Sequence, residues 1–325
     1  TDHIQIFQVP EKGFSKHLNR IAFHLNLPLP FYYKCIKLQQ PDVIHAHFGY
    51  DGMKMLRLAN MFDIPLIVSF YGSDVSRLPS EFGWKRRYRK LARFGSHFIA
   101  ATQFMKKQLI KLGFNENKIT VVRFGVDLQD SPFILRKRNP NKFMMVGRMV
   151  EKKGFEYAIK AIHILKKRGH KVHLDLFGNG PLMKNLKSLS RDLSLNGVVT
   201  FHGYQPIETI LDAHKEYSLL LAPSVIAKDG DMEGLPNTIL EAMAKGTPVV
   251  ASRHAAIPEV IENYKTGFLV DEGDAEGLAD TLENILQEKY NLEQIRRNAR
   301  KVIEEEYTSE RMVSEVEHIY NQSLK

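Results

Sequence analysis

Lys142-Phe-Met-Met-Val-Gly-Arg-Met-Val-Glu-Lys-Lys-Gly154 decides the fold of this chain. Its first residues, Lys142–Val146, form an apolar run of the kind that is buried on both faces of a parallel sheet. A charged turn follows, and Gly154–Arg168 then repeats its apolar residues at helical spacing. Lys171-Val-His-Leu-Asp-Leu-Phe177 supplies the next strand and completes a strand–helix–strand unit. Such units are right-handed and build open parallel sheets covered by helices on both faces.

The same alternation extends in both directions. Upstream, the runs Asp42–His47, Pro65–Phe70, His97–Ala101 and Lys118–Val122 predict four strands. Downstream, Val198–Phe201, Ser218–Ala222, Pro248–Ala251 and Gly267–Val270 predict four more. Helical spacing marks Pro181–Ser194, Pro236–Lys245, Ala275–Gln287 and Leu292–Glu306. The fold class is therefore α/β, with two Rossmann-like, doubly wound domains. A polar, proline-punctuated stretch over Asp127–Asn141 marks the boundary. We place the domains at 1–135 and 136–305, with a helix over 306–325 expected to cross back to the first. The first domain shows about four strands where an open sheet of this class generally has about six. An initial strand–helix–strand segment is thus expected upstream of Thr1, and Asp2–Val9 reads as a later strand of that domain.

Composition bounds the function. The chain has 325 residues, 43% hydrophobic and 26% charged, which is ordinary globular usage and excludes a disordered or fibrous protein. No apolar run approaches the roughly 18 residues that span a bilayer. Cys35 stands alone, so no intrachain disulfide can form, in keeping with a reducing compartment. The formal charge is +9, and it is uneven. Residues 1–142 hold 23 basic and 10 acidic side chains, whereas residues 143–325 hold 23 basic and 27 acidic. Nucleic acid is disfavoured as a partner, because no helix-turn-helix, zinc or RNP signature accompanies the charge.

Two clusters carry the chemistry. Gly147 and Arg148 with Lys153 and Gly154 lie between a strand end and a helix start, where open α/β sheets bind ligands. Arg148 offers a planar fork suited to phosphate and Lys153 a point charge; a solvated charged turn is the alternative. The second cluster is Glu233-Gly-Leu-Pro-Asn-Thr-Ile-Leu-Glu241. Glu233 precedes a helix and Glu241 lies within it, while backbone N–H groups at Leu235, Asn237 and Thr238 face an anion site at the positive helix end. A helix with acids in its first turns is the alternative there.

Taken together, these motifs resemble the family 4 glycosyltransferases. Glu233 and Glu241 have that family's Glu-x7-Glu spacing, and Gly147-Arg148 with Lys153-Gly154 resembles its diphosphate clamp. Phe177-Gly-Asn-Gly-Pro-Leu182, Thr200-Phe-His-Gly203, Gly246–Ala251, Ile257-Pro-Glu259 and Gly267–Val270 follow in the family's order. Asp42–Gly49, Ser69–Asp74 and Gly125-Val-Asp127 match upstream, so the likeness covers nearly the whole chain.

The resemblance implies a GT-B architecture, two Rossmann-like domains facing a cleft with the donor held mainly by the second. It implies a retaining, metal-independent transfer of a sugar from a nucleotide-diphosphate sugar to a glycan or lipid-linked acceptor, as in bacterial surface-polysaccharide assembly. Arg148 and Lys153 would neutralise the leaving diphosphate, Glu233 would hold donor-sugar hydroxyls and Glu241 the ribose. Gly147, Gly178, Gly180, Gly203, Gly234, Leu235 and Asn237 would line the donor site, with the Gly178–Gly180 loop approaching the base. No cofactor and no metal is expected. Asp229-Gly-Asp231 matches a metal-binding Asp-x-Asp pattern of another fold, and a surface loop is preferred for it.

The resemblance implies a sugar-contacting, catalytic role for His47, and Tyr71 and Asp74 are read on the acceptor or sugar side. His45 and His47 are read as pointing to opposite faces, with only His47 reaching the site. Tyr71 stands where many relatives have His; it can donate a hydrogen bond but is a poor base near neutral pH. A non-catalytic nucleotide-sugar-binding or scaffold protein of the same fold is the alternative this departure keeps open. Finally, Trp84, Tyr88 and Leu91 follow helical spacing amid Lys85, Arg86, Arg87, Arg89 and Lys90. A helix resting on an anionic membrane surface is one reading, which would put the protein in the cytoplasm at the inner face of the plasma membrane. An ordinary domain helix burying its aromatics is the other.

Overall fold

The computed structural model describes residues 29–134, 136 and 138–324, so the expected strand over Asp2–Val9 lies outside the described residues. Two compact units are present. The first holds the described residues up to Ala101, Met105–Val122 and the chain from Glu315; the second holds Thr102–Phe104 and Arg123–Ser314.

In the first unit, β1 (Ile44–His47), β2 (Leu66–Phe70), β3 (His97–Ala100) and β4 (Ile119–Val121) form a parallel sheet in the order β1-β2-β3-β4. Its helices are α1 (Pro30–Gln39), α2 (Gly49–Phe62), α3 (Trp84–Phe94) and α4 (Gln103–Lys111). Every residue of β2 is buried, as the unbroken run Leu-Ile-Val-Ser-Phe requires of a central strand. Phe70, Tyr88, Phe98 and Phe114 pack edge to face around it, with ring centroids 4.7 Å apart for Phe98 and Phe114. Gly49 lets α2 approach this cluster, since a Cβ there would stand 2.1 Å from the Tyr88 hydroxyl.

The second unit carries a six-stranded parallel sheet in the order β10-β9-β8-β5-β6-β7. These strands are β5 (Asn139–Val146), β6 (His173–Phe177), β7 (Val199–Gly203), β8 (Tyr217–Ala222), β9 (Val249–Ser252) and β10 (Phe268–Val270). Between and after them run α5 (Phe155–Lys167), α6 (Met183–Asp192), α7 (Ile207–Ala213), α8 (Asn237–Ala244), α9 (Ala275–Leu286) and α10 (Leu292–Glu306), while α11 (Ser309–Ser323) begins in this unit and ends in the first. The chain starts in the middle at β5, builds outward through β6 and β7, and returns to the other side of β5 at β8. The switch point of the sheet is therefore the β5–β8 seam.

Strand alternation feeds two cores. Phe143 and Met145 of β5 join Phe155, Ile159, Ile162, Leu174 and Leu282 on one face. Met144, between them, joins Leu220, Ile239, Leu240, Met243 and Ile303 on the other. The strand β5 begins at Asn139, three residues earlier than the apolar run predicts. Polar bonds account for the extension: Arg138 donates to the carbonyls of His214, Gly246 and Lys245, and Ser218 Oγ to those of Pro140 and Lys142.

Candidate functional site

The β5–β8 seam of the second unit brings the two sequence clusters together. The loop after β5 makes a tight turn, in which Gly147 N–H donates to Phe177 O at 3.0 Å and Met149 N–H to Asn179 O at 2.9 Å. Gly154 ends it at φ 71°, where a Cβ would stand 1.8 Å from Pro223 O of the loop after β8. Gly178 and Gly180 serve the same packing: their Cβ atoms would meet Gly147 O at 1.9 Å and Met149 O at 2.5 Å. The close backbone approach these glycines permit is to the neighbouring loop. Gly203 is different. Nothing lies within 4 Å of a Cβ there, so its φ of 68° alone accounts for glycine.

Lys153 and Glu233, 80 residues apart in the chain, meet in this seam. Lys153 Nζ lies 3.0 Å from Glu233 Oε2, and Lys152 Nζ 3.4 Å from Glu233 Oε1 and 3.1 Å from Asp231 Oδ2. Burial pushes the Glu233 carboxyl up, but the two lysines more than offset this and hold it below the usual range. The carboxylate is thus a fixed charge at neutral pH. Asp231 belongs to a lysine-neutralised turn, its own N–H donating to Asp229 Oδ1 at 3.0 Å. Arg148 is exposed, and its guanidinium has no partner among the described residues.

The helix α8 opens beside this carboxylate. Its N-cap is Pro236 and no side chain caps it, so its first N–H groups keep their capacity for an acceptor. Gly234 and Leu235 are buried in the turn before it, and Asn237 is exposed at its start. Glu241, inside α8, is half-buried; burial raises its carboxyl above the usual value against the opposing pull of Lys245.

In the first unit, His45 and His47 point to the same face, not to opposite ones. Side chains two apart on a strand share a face, and here the rings stack at 4.5 Å. His47 stacks in turn on Tyr71 at 5.7 Å and its Nδ1 hydrogen-bonds the Tyr71 hydroxyl. His45 Nδ1 meets the hydroxyl of Tyr320 at 2.6 Å and its Nε2 meets Ser69 Oγ at 2.7 Å. Burial, then the neighbouring His47, lowers the His45 pKa to about 4, so this ring stays neutral. Tyr320, His45 and Ser69 thus form one hydrogen-bonded group, and Tyr71 and His47 another beside it. Phe48, the next residue, has φ 71°, a conformation rare outside glycine.

Two further expectations for this unit are corrected. Asp74 offers no carboxylate to an acceptor: it is 3% exposed and accepts the N–H groups of Gly72, Tyr71 and Gly49 at 2.9, 3.1 and 3.2 Å. It positions the Tyr71 loop and the start of α2. Trp84 is no membrane contact. Trp84, Tyr88 and Leu91 are 6%, 0% and 0% exposed and form the core face of α3. Arg87 lies over the Trp84 ring at 5.3 Å. Lys85, Arg86, Arg89, Lys90 and Arg93 remain on the outer face, flanked by exposed Phe82 and Phe94.

Several participants carried no sequence signal. Lys152 lay inside the cluster but was not distinguished from Lys153. Ser69 lay in a matched motif without a role of its own. Tyr320 lies outside every matched motif, and His254 and Glu272, which bond the Glu233 loop, stand just beyond Gly246–Ala251 and Gly267–Val270.

The family model of the glycosyl transferases group 1 matches residues 128–302, and that of glycosyltransferase family 4 matches residues 5–130. The chain is 34% identical over 270 residues to the amylovoran biosynthesis glycosyltransferase AmsK of Erwinia amylovora, covering 82% of this chain and 66% of that protein. It is 29% identical over 267 residues to the lipopolysaccharide core biosynthesis glycosyltransferase LpsE of Rhizobium meliloti, covering 76% and 66%. The chain thus spans just under two thirds of the length of each. Among solved structures, Anabaena Alr3699/HepE in complex with UDP superposes with a TM-score of 0.77 at 20% identity, covering 90% of this chain and 82% of that one. That likeness speaks to the fold.

Proposed function

The chain belongs to the glycosyl transferases group 1 family, and from that membership we propose a retaining, metal-independent glycosyltransferase of cell-surface polysaccharide assembly. It moves a sugar from a nucleotide-diphosphate sugar to a glycan or lipid-linked acceptor. One observation carries the reading: Lys153, Glu233 and an uncapped helix N-terminus converge at the switch point of the second unit's sheet. Sheets of this kind take their ligands there.

The chemistry follows from these groups. Arg148 and Lys153 hold the donor's diphosphate, and the N-terminal N–H groups of α8 add their partial positive charge. These fixed cations stabilise the charge that grows on the diphosphate as the bond to the anomeric carbon breaks, the task a metal ion performs elsewhere. When the diphosphate takes over Lys153, the Glu233 carboxylate turns to the sugar hydroxyls. Glu241 receives the ribose. The acceptor hydroxyl attacks the same face of the sugar, and its proton passes to the departing phosphate oxygen. His47 and Tyr71 offer an imidazole and a hydroxyl to sugar hydroxyls.

The setting is the cytoplasmic face of the plasma membrane. No helix among the described residues is long and apolar enough to cross a membrane. The five cations on the outer face of α3, with Phe82 and Phe94 beside them, suit an anionic lipid surface. Calorimetric titration with UDP- and GDP-sugars tests the donor assignment. Binding is expected for at least one, weakened at least about ten-fold in Lys153→Ala by loss of a charge-assisted contact. Equal binding by Lys153→Ala and the native protein overturns it.

A further inference from the structure

One carboxylate holds the Glu233 loop at two points. The loop runs from Pro223 to Pro236, between β8 and α8. Glu272, just beyond β10, accepts the N–H of Ile226 on Oε2 at 3.1 Å. Its Oε1 meets His254 Nδ1 at 2.7 Å, and His254 Nε2 lies 3.1 Å from the backbone N of Glu233. His254 is 0% exposed. A backbone N–H can only donate, so Nε2 is the unprotonated nitrogen; Nδ1 carries the proton and donates it to Glu272. The imidazole is thereby a neutral spacer of fixed tautomer between a carboxylate and the backbone of Glu233.

We propose that His254 and Glu272 are positioning residues for donor-sugar recognition. They fix the Glu233 backbone before a donor arrives, as the outer partners of a metal ligand fix its orientation. The proposal rests on Glu233 being the group that meets the sugar. It separates two affinities. The nucleoside diphosphate is held from the β5 loop and the α8 start, so its binding does not depend on this pair. The extra affinity that the sugar adds does.

The test is calorimetric titration of UDP, GDP, UDP-glucose and GDP-mannose into the native protein, Glu233→Gln, Glu272→Gln, His254→Phe and His254→Gln. In Glu272→Gln and His254→Phe we expect the preferred nucleotide sugar to bind about ten-fold more weakly, and its nucleoside diphosphate unchanged within about two-fold. His254→Gln, whose amide oxygen can accept the Glu233 N–H, restores most of the loss. If His254→Phe fails to fold, Glu272→Gln gives the same readout from a partly exposed side chain. Native nucleotide-sugar affinity in Glu272→Gln, alongside a loss in Glu233→Gln, overturns the positioning role and leaves the donor reading standing. An equal loss for diphosphate and sugar nucleotide overturns it as well. Native affinity in Glu233→Gln overturns the donor reading itself.

Discussion

Lys153 Nζ and Glu233 Oε2 stand 3.0 Å apart across the β5–β8 seam, each largely buried. The lysine helps hold the carboxylate ionised, and the pair is placed to exchange partners when a diphosphate enters. Lys153→Ala should lower kcat about a hundred- to a thousand-fold, the usual cost of removing a preorganised group that stabilises charge in the transition state. Lys152 still neutralises Glu233, so the melting temperature should move little. The double variant Lys153→Ala/Glu233→Ala should lose less than the sum of the single losses, because the residues act as a unit. Simple additivity in steady-state kinetics would argue against the pairing.

The glycines divide into two kinds. Gly178→Ala places a Cβ 1.9 Å from Gly147 O at φ 123°, and Gly203→Ala places one in open space at φ 68°. Denaturant unfolding should show a loss of about 3 kcal/mol or more for the first, from backbone strain added to a clash. The second should lose only about 1 kcal/mol, the strain of a left-handed residue alone. A reversed order would contradict the loop packing described above.

Stability should fall as the medium is acidified from pH 6.5 toward pH 5. His214, 1% exposed and bonded to Thr247, is lowered to about 3 by burial, then by Arg138 and Lys245. His45 is lowered to about 4. Both bind a proton more readily when unfolded, near the ordinary value of about 6.5. The unfolded state therefore holds more protons in this window, and unfolding becomes easier as pH drops. Their stabilisation is fully present above about pH 6.5 and lost progressively toward the folded pKa values. Melting curves at pH 7.5, 6.5, 5.5 and 5.0 check this, and His214→Gln should flatten the slope. A flat native profile would refute it.

The helix α3 has a core face and a charged face with separate roles. Trp84→Ala should cost about 3–5 kcal/mol, the range for truncating a buried tryptophan. Reversing Arg86, Arg89, Lys90 and Arg93 to Glu should leave the fold intact and abolish sedimentation with phosphatidylglycerol vesicles. Native binding should weaken in high salt. Vesicle binding that survives the reversal would remove the membrane from the account.

The sheet fold was legible because continuous apolar runs admit few readings. The ten strands predicted within the described residues are all present, displaced by at most about three residues at an end, the usual scatter of such boundaries. What could not be read were contacts set by strand order. Nothing in residues 153 and 233 says that they touch; the return of the chain from β7 to β8 makes them neighbours. The hydrogen bond between Tyr320 and His45 has the same origin, since it depends on where the final helix lies. His45 and His47 could have been placed correctly, because a period of two puts them on one face. Trp84 was ambiguous for a physical reason: an apolar stripe fits a protein core and a membrane equally well until a partner is seen.

The most direct test of the central claim is the fate of the anomeric centre. The protein would be incubated with its preferred nucleotide sugar and a membrane-derived acceptor fraction in excess EDTA, and the anomeric proton followed by NMR. Transfer with retained configuration, accompanied by release of the nucleoside diphosphate and undiminished by the chelator, is the predicted result. Inverted configuration, or transfer that the chelator abolishes, would contradict the account.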